Sequence, residues 1–218
     1  MSAASRAPLR SKHSGPDDRT ARAARVRRRT ALAAGAAVAA LLVSACGSGG
    51  TSGGGGDTNF VTGTDGIDTV AQGKRTPAPD LSGKTLDGKT LDVADYKGKV
   101  VVLNIWGSWC NPCRAEAKYF AKVSQEYAGK GVQFVGINTR DSSLGNAVAF
   151  EKDFGITYPS LYDPTGKLML RFKPGTLNPQ AVPSTLILDR DGKIAARSLS
   201  ALSDTRLLKM LKPVLAEK

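Results

Sequence analysis

Residues 99–116 read KVVVLNIWGSWCNPCRAE, and three properties of this stretch set the expected fold. Lys99 to Trp106 is a near-continuous apolar run rich in β-branched residues, the pattern of a strand buried on both faces of a sheet. Trp109-Cys110-Asn111-Pro112-Cys113 follows at once, and the apolar stripe Cys113, Glu116, Phe120, Val123 and Tyr127 then has helical spacing. The dithiol therefore sits at a strand-to-helix turn, where unsatisfied N–H groups and aligned peptide dipoles favour negative charge. A Cys110 thiolate placed there should ionise below the free value of about 8.5. Pro112 suits the first helical turn, whose N–H has no partner anyway. Cys110 is expected as the exposed attacking thiol and Cys113, one turn in, as the buried resolving thiol, the pair that disulfide exchange needs.

Other uses of a CxxC pair can be weighed against the composition. The chain has 218 residues, three cysteines and one histidine. A zinc site wants about four ligands, yet there is no second CxxC, and His13 lies in the N-terminal segment. Haem attachment needs histidine after the second cysteine, where Arg114 stands. A purely structural bridge closing so short a loop would constrain little of the unfolded chain. Without a histidine near the dithiol, a Cys–His hydrolase has no base. Glu116 is the remaining candidate for proton transfer: three residues after Cys113 it shares the core-facing stripe, where burial would raise its pKa and let it accept or return the Cys113 proton. The plainer reading is a first-turn glutamate that caps the helix.

Outward from this stretch, Leu81 to Val93 with Asp87-Gly88 reads as an edge hairpin. A second buried strand is expected over Val132–Asn138, a helix over Leu144–Phe154, a strand over Ser160–Tyr162, a turn at Asp163-Pro164 and a helix over Gly166–Phe172. Ser184–Leu188 and Ile194–Leu199 form strands about the turn Asp191-Gly192, and Asp204–Leu215 closes the chain as an amphipathic helix. The alternation predicts an α/β domain with a central mixed sheet flanked by helices.

The N-terminal quarter has a different character. The formal charge of +12 is unevenly spread: nine of the 31 basic residues and two of the 19 acidic ones fall in residues 1–45, leaving about +5 for the rest. Arginines to Arg29 precede an apolar run over Thr30–Val43, too short for a spanning helix at about 20 residues, as in an export signal over residues 1–45. Arg28-Arg29 loosely resembles a twin-arginine signal, and the export route stays open. Val43-Ser44-Ala45-Cys46 resembles a bacterial lipobox, which predicts lipidation of Cys46 and anchoring on the extracytoplasmic face of the cell membrane. Residues 46–75, rich in Gly, Ser and Thr, read as a flexible linker of roughly 30 Å, and residues 76–218 as the folded domain. No aromatic-interleaved basic motif supports nucleic-acid binding, and a monomer is expected.

Asn104-x-Trp106-x-x-Trp109-Cys110-Asn111-Pro112-Cys113-Arg114-x-Glu116, with Val182-Pro183-Ser184-Thr185 some 70 residues on, resembles the thioredoxin superfamily, and within it the TlpA/ResA-like extracytoplasmic thiol:disulfide oxidoreductases. The resemblance covers about residues 76–218. It implies a thioredoxin fold with an N-terminal hairpin and an inserted helix and strand. It makes Pro183 a cis proline facing the dithiol, with Val182, Trp109, Asn111 and Pro112 forming the substrate-binding edge, where the Val182 backbone pairs with an extended peptide. Asn104 stands where cytoplasmic thioredoxins carry a buried aspartate, and Glu116 matches the group's glutamate. Lys118 departs from the pattern, since relatives have a helix-kinking proline there. The implied activity is exchange with protein thiols and disulfides through Cys110–Cys113, with no cofactor beyond that redox-active pair. A reducing role is expected, as in cytochrome c maturation, fed by a membrane-embedded electron donor. The alternatives are a disulfide-forming oxidant, a peroxiredoxin-like peroxidase, whose motif would want Thr at Gly107, or a non-catalytic binding lipoprotein.

Overall fold

The computed structural model describes residues 58–63 and 65–217. The expected signal segment, Cys46 and the first part of the linker lie outside them. In chain order the elements are β1 (Val61–Thr62), β2 (Ile67–Thr69), β3 (Ser82–Lys84), β4 (Thr90–Asp92), β5 (Val100–Trp106), α1 (Asn111–Glu126), β6 (Val132–Thr139), α2 (Leu144–Phe154), β7 (Ser160–Asp163), β8 (Ser184–Leu188), β9 (Ile194–Ser198) and α3 (Asp204–Ala216). Seven strands form one mixed sheet in the order β1-β2-β9-β8-β5-β6-β7, and β3-β4 form a separate hairpin. All seven residues of β5 are buried, with β6 parallel on one side and β8 antiparallel on the other. That is the central position its apolar run predicts.

Alternation along β5 divides the core. Val101, Leu103 and Ile105 face a cluster with Leu81, Leu91, Val93 and Met169, so this face is covered by the hairpin and by short 3-10 turns at Val93–Tyr96 and Met169–Arg171. Val100 and Val102 face a cluster containing Phe120 of α1 and Leu207 and Leu211 of α3, while Trp106 joins Cys110, Cys113, Ala147 and Phe150 beside them. Helices flank the sheet as expected, and the three α-helices supply these two clusters. A fully buried aliphatic side chain contributes about 1.5–3 kcal/mol, so the buried run of β5 is a large part of what holds the two faces together.

Two expectations are corrected. The linker predicted to reach residue 75 ends earlier, because β2 pairs with the edge of β9 through Ile67↔Ser198, Asp68↔Arg197 and Thr69↔Ala196, and Phe60, Ile67 and Val70 are buried. The helix expected over Gly166–Phe172 is only the 3-10 turn Met169–Arg171. The Asp163 carboxylate accepts from the N–H of Lys167 at 2.8 Å and of Leu168 at 3.0 Å, but the chain turns extended at Phe172, just before Lys173, which Pro174 keeps out of the helical region.

Candidate active site

Cys110 and Cys113 form a disulfide at the N-terminus of α1. Cys110 is the capping residue: its Sγ accepts from the N–H of Cys113 at 3.2 Å, and its carbonyl accepts from the N–H of Arg114 at 3.2 Å. The sulfur thus occupies the place where a serine or aspartate oxygen commonly satisfies a free N–H, and the same donor would stabilise a thiolate. Across from it, the Val182 carbonyl oxygen lies 3.5 Å from Cys110 Sγ, and the Val182–Pro183 peptide is cis. Asn111 and Pro112 are exposed, Val182 is half-buried and Pro183 is buried. The expected contrast between an exposed and a buried sulfur is absent from the disulfide form: Cys110 is 2% exposed and Cys113 1%. Both sulfurs sink into the apolar cluster with Leu86, Trp106 and Phe150, against which Val182 also packs.

Glu116 lies on the inner face of α1, 2% exposed. One carboxylate oxygen accepts from Asn104 Nδ2 and the other from the N–H of Leu202, each at 2.9 Å. Burial pushes its carboxyl up from the usual 4.5 to about 7, against the pull of those two hydrogen bonds. A carboxyl so tuned can give or take a proton near neutral pH. The plain capping role is excluded, since neither oxygen meets an α1 N–H.

Trp109 stands half-exposed beside the disulfide at 49%. Its indole Nε1 donates to the Thr139 carbonyl at 3.2 Å, and the Arg140 guanidinium lies 5.1 Å from the ring centroid. The preceding turn is pinned by Asp141, whose carboxylate accepts from the Ser108 N–H at 2.9 Å, from Ser108 Oγ and from Asn138 Nδ2. The sequence reading missed Arg140, Asp141 and Glu151. Glu151 of α2 is pushed up to about 7 by burial, and it lines a surface groove of about 570 Å³ with Asp87, Tyr158 and Ser160. For Arg140 and Asp141 the one legible signal is polar residues directly after the apolar strand β6; Glu151, inside α2, carries no such signal. Among the described residues, no group of three His, Cys, Asp or Glu side chains is placed to hold a metal ion, and no helix is long and apolar enough to cross a membrane.

Comparison with known proteins matches this geometry. The Redoxin family pattern fits residues 71–211. The thiol-disulfide oxidoreductase ResA of Geobacillus thermodenitrificans is 33% identical over 117 residues, 54% of this chain and 64% of the relative, just under two thirds of its length. ResA of Bacillus subtilis is 26% identical over 151 residues, 68% of this chain and 80% of the relative. Among solved structures, a DsbF homologue from Corynebacterium diphtheriae is 39% identical with a TM-score of 0.63, covering 69% of this chain and 94% of that one. A secreted thiol-disulfide isomerase from Corynebacterium glutamicum is 31% identical with a TM-score of 0.65, covering 70% and 93%.

Proposed function

The chain belongs to the redoxin family, thioredoxin-fold proteins that include ResA-like thiol-disulfide oxidoreductases, and from that premise we propose that it reduces disulfides of exported proteins outside the cytoplasm, tethered to the cell membrane through a lipidated Cys46. The observation that carries this reading is the Cys110–Cys113 pair at the α1 N-terminus with the Val182 carbonyl 3.5 Å from the attacking sulfur. An extended peptide paired with the Val182 backbone brings its own sulfur to Cys110.

In the forward step the Cys110 thiolate attacks one sulfur of the substrate disulfide, forming a mixed disulfide and expelling the first substrate thiolate. Cys113 then attacks Cys110 Sγ, the Cys110–Cys113 bond forms, and the second substrate thiolate leaves. Two electrons pass from the dithiol to the substrate. The proton released by Cys113 goes to Glu116, whose raised pKa suits it to receive one near pH 7. Resetting the dithiol requires a second reductant, for which a membrane-embedded donor is the natural source. Proteins whose cysteines must stay reduced, apocytochrome c among them, are the substrates this direction favours, and the monomer suffices.

The names of the structural neighbours, a DsbF homologue and an isomerase, favour one competing reading, net disulfide formation or shuffling. The reduction potential of the full chain, equilibrated in dithiothreitol or glutathione buffers with thiol trapping, separates the two. A value near or below about −270 mV supports the reductase, whereas a value toward about −120 mV makes the protein an oxidant. Grown with radiolabelled palmitate, the same chain should carry label that Cys46→Ala loses; label on the variant would remove the anchor.

A further inference from the structure

Arg140 joins the two walls of the substrate edge. Its guanidinium lies over the Trp109 ring, 5.1 Å from the centroid, while Nη1 reaches Gln180 Oε1 at 3.5 Å. Trp109 adjoins Cys110, and Gln180 is two residues before Val182, so a peptide paired with the Val182 backbone runs past this side chain. The Arg140 backbone has φ of 54°, the left-handed region that non-glycine residues seldom adopt and that clusters at binding and catalytic sites. It is anchored by its N–H donating to the Asp163 carbonyl at 3.1 Å.

The charge itself is left over. Asp141, next in sequence, takes Ser108 and Asn138, and the carboxylate of Asp163, whose carbonyl receives the Arg140 N–H, takes the N–H groups of Lys167 and Leu168. Among the described residues Arg140 forms no ion pair. A partly exposed planar guanidinium held on the ring of the residue next to Cys110 is suited to bind a carboxylate. We propose that Arg140 reads substrate charge, favouring extended peptides that carry an acidic side chain close to the exchanging cysteine. This rests on the oxidoreductase reading above and deepens it by naming the substrate class.

The test uses the reduced full chain and disulfide-linked homodimers of a five-residue peptide, acetylated and amidated, with Asp, Asn or Lys placed at each position around a single cysteine. Each turnover consumes one peptide disulfide, releases two peptide thiols and leaves Cys110–Cys113 oxidised. Ratios of rate constants between peptides cancel any common effect of Arg140 on Cys110 reactivity or on the packing of Trp109. At one position or more, the Asp peptide should react about three- to fivefold faster than the Asn peptide, the range of an exposed ion pair. The ratio should fall toward one as salt is raised. Arg140→Glu should reverse the order, placing the Lys peptide first, and Arg140→Lys should keep part of the preference. Equal rates for all three peptides at every position, or an Asp preference that survives in Arg140→Glu, would overturn the proposal. Failure of the wild-type chain to exchange with any of the peptides would overturn the oxidoreductase reading instead.

Discussion

Glu116 shows how one residue's chemistry depends on atoms the sequence does not place next to it. Its carboxyl is held by Asn104 Nδ2 and by the Leu202 N–H, and burial still dominates, raising its pKa to about 7. The sign of the consequence follows from linkage. Folded and unfolded chains are both protonated at Glu116 below pH 4.5, so the group is neutral for stability there. As pH rises from 4.5 to 7 the unfolded chain loses the proton first, and the fold is progressively destabilised until the cost levels off above 7. At about 1.4 kcal/mol per pH unit, roughly 3 kcal/mol of wild-type stability should vanish between pH 4.5 and 8. Glu116→Gln should remove that loss: Asn104 can turn its oxygen toward the new amide, while the Leu202 N–H keeps an acceptor. Urea unfolding of both proteins across this range checks it, the Glu151 contribution being common to the two. Parallel pH curves would show that folding leaves the Glu116 pKa unshifted. The same variant should also flatten the pH profile of Cys113 reactivity, which a purely structural glutamate would leave alone.

At the scale of elements, the dithiol turn is supported from β6. Gly136 pairs with Asn104 across β5 and β6, and a Cβ at Gly136 would run into Ser160 Oγ and come within 2.8 Å of Trp106 Nε1. Trp106 Nε1 donates to Ser160 Oγ at 3.4 Å, and its ring stacks on Phe150 at 4.5 Å, in the cluster that holds both cysteines. Absence of a side chain at Gly136 is thus what lets the indole seat beneath the disulfide. Gly136→Ala should cost about 1–3 kcal/mol by overpacking, and adding Ser160→Gly should recover part of it, since the hydroxyl is the nearest obstruction. Chemical denaturation of the single and double variants gives the result; an unchanged midpoint in Gly136→Ala would mean that β7 moves aside freely. This support was illegible in the sequence, where Gly136 reads as one more residue of a buried strand. The strand-turn-helix itself was legible, because an apolar run followed by a capped helical stripe is a local pattern. The helix expected over Gly166–Phe172 fails for the opposite reason: local spacing suggests it, but Gly166 has φ of 73° and Phe172 is extended just before Lys173-Pro174, which leaves only one 3-10 turn.

Across the whole molecule, the segment before residue 76 closes the domain. β2 covers the outer edge of β9, Arg197 pairs with Asp68 at 2.7 Å and lies 4.0 Å over the Phe60 ring, and Arg75 joins Asp189 to Glu217 near the C-terminus. A chain beginning at residue 76 loses the buried Phe60, Ile67 and Val70, at about 1.5–3 kcal/mol each by area, an upper bound. It also bares the β9 edge, an invitation to aggregation. Such a chain should unfold at least about 3 kcal/mol more easily than one beginning at residue 58, by urea titration. Equal midpoints for the two would return these residues to the linker.

The sequence by itself determined the central strand, the dithiol at the helix start, the sheet's mixed character and the candidate proton carrier, because each is written in neighbouring residues through periodicity, capping and spacing. Only the tertiary structure decided what surrounds them. Strands of two and three residues such as β1 and β2 are too short to show alternation; β2 exists because the β9 edge more than a hundred residues later offers partners, and β1 pairs in turn with β2. The depth of both sulfurs, the Leu202 N–H on Glu116 and the Arg140 bridge between Trp109 and Gln180 are likewise contacts between distant segments. Burial and hydrogen bonding there depend on which segments meet, and the meeting is set by packing of the whole core.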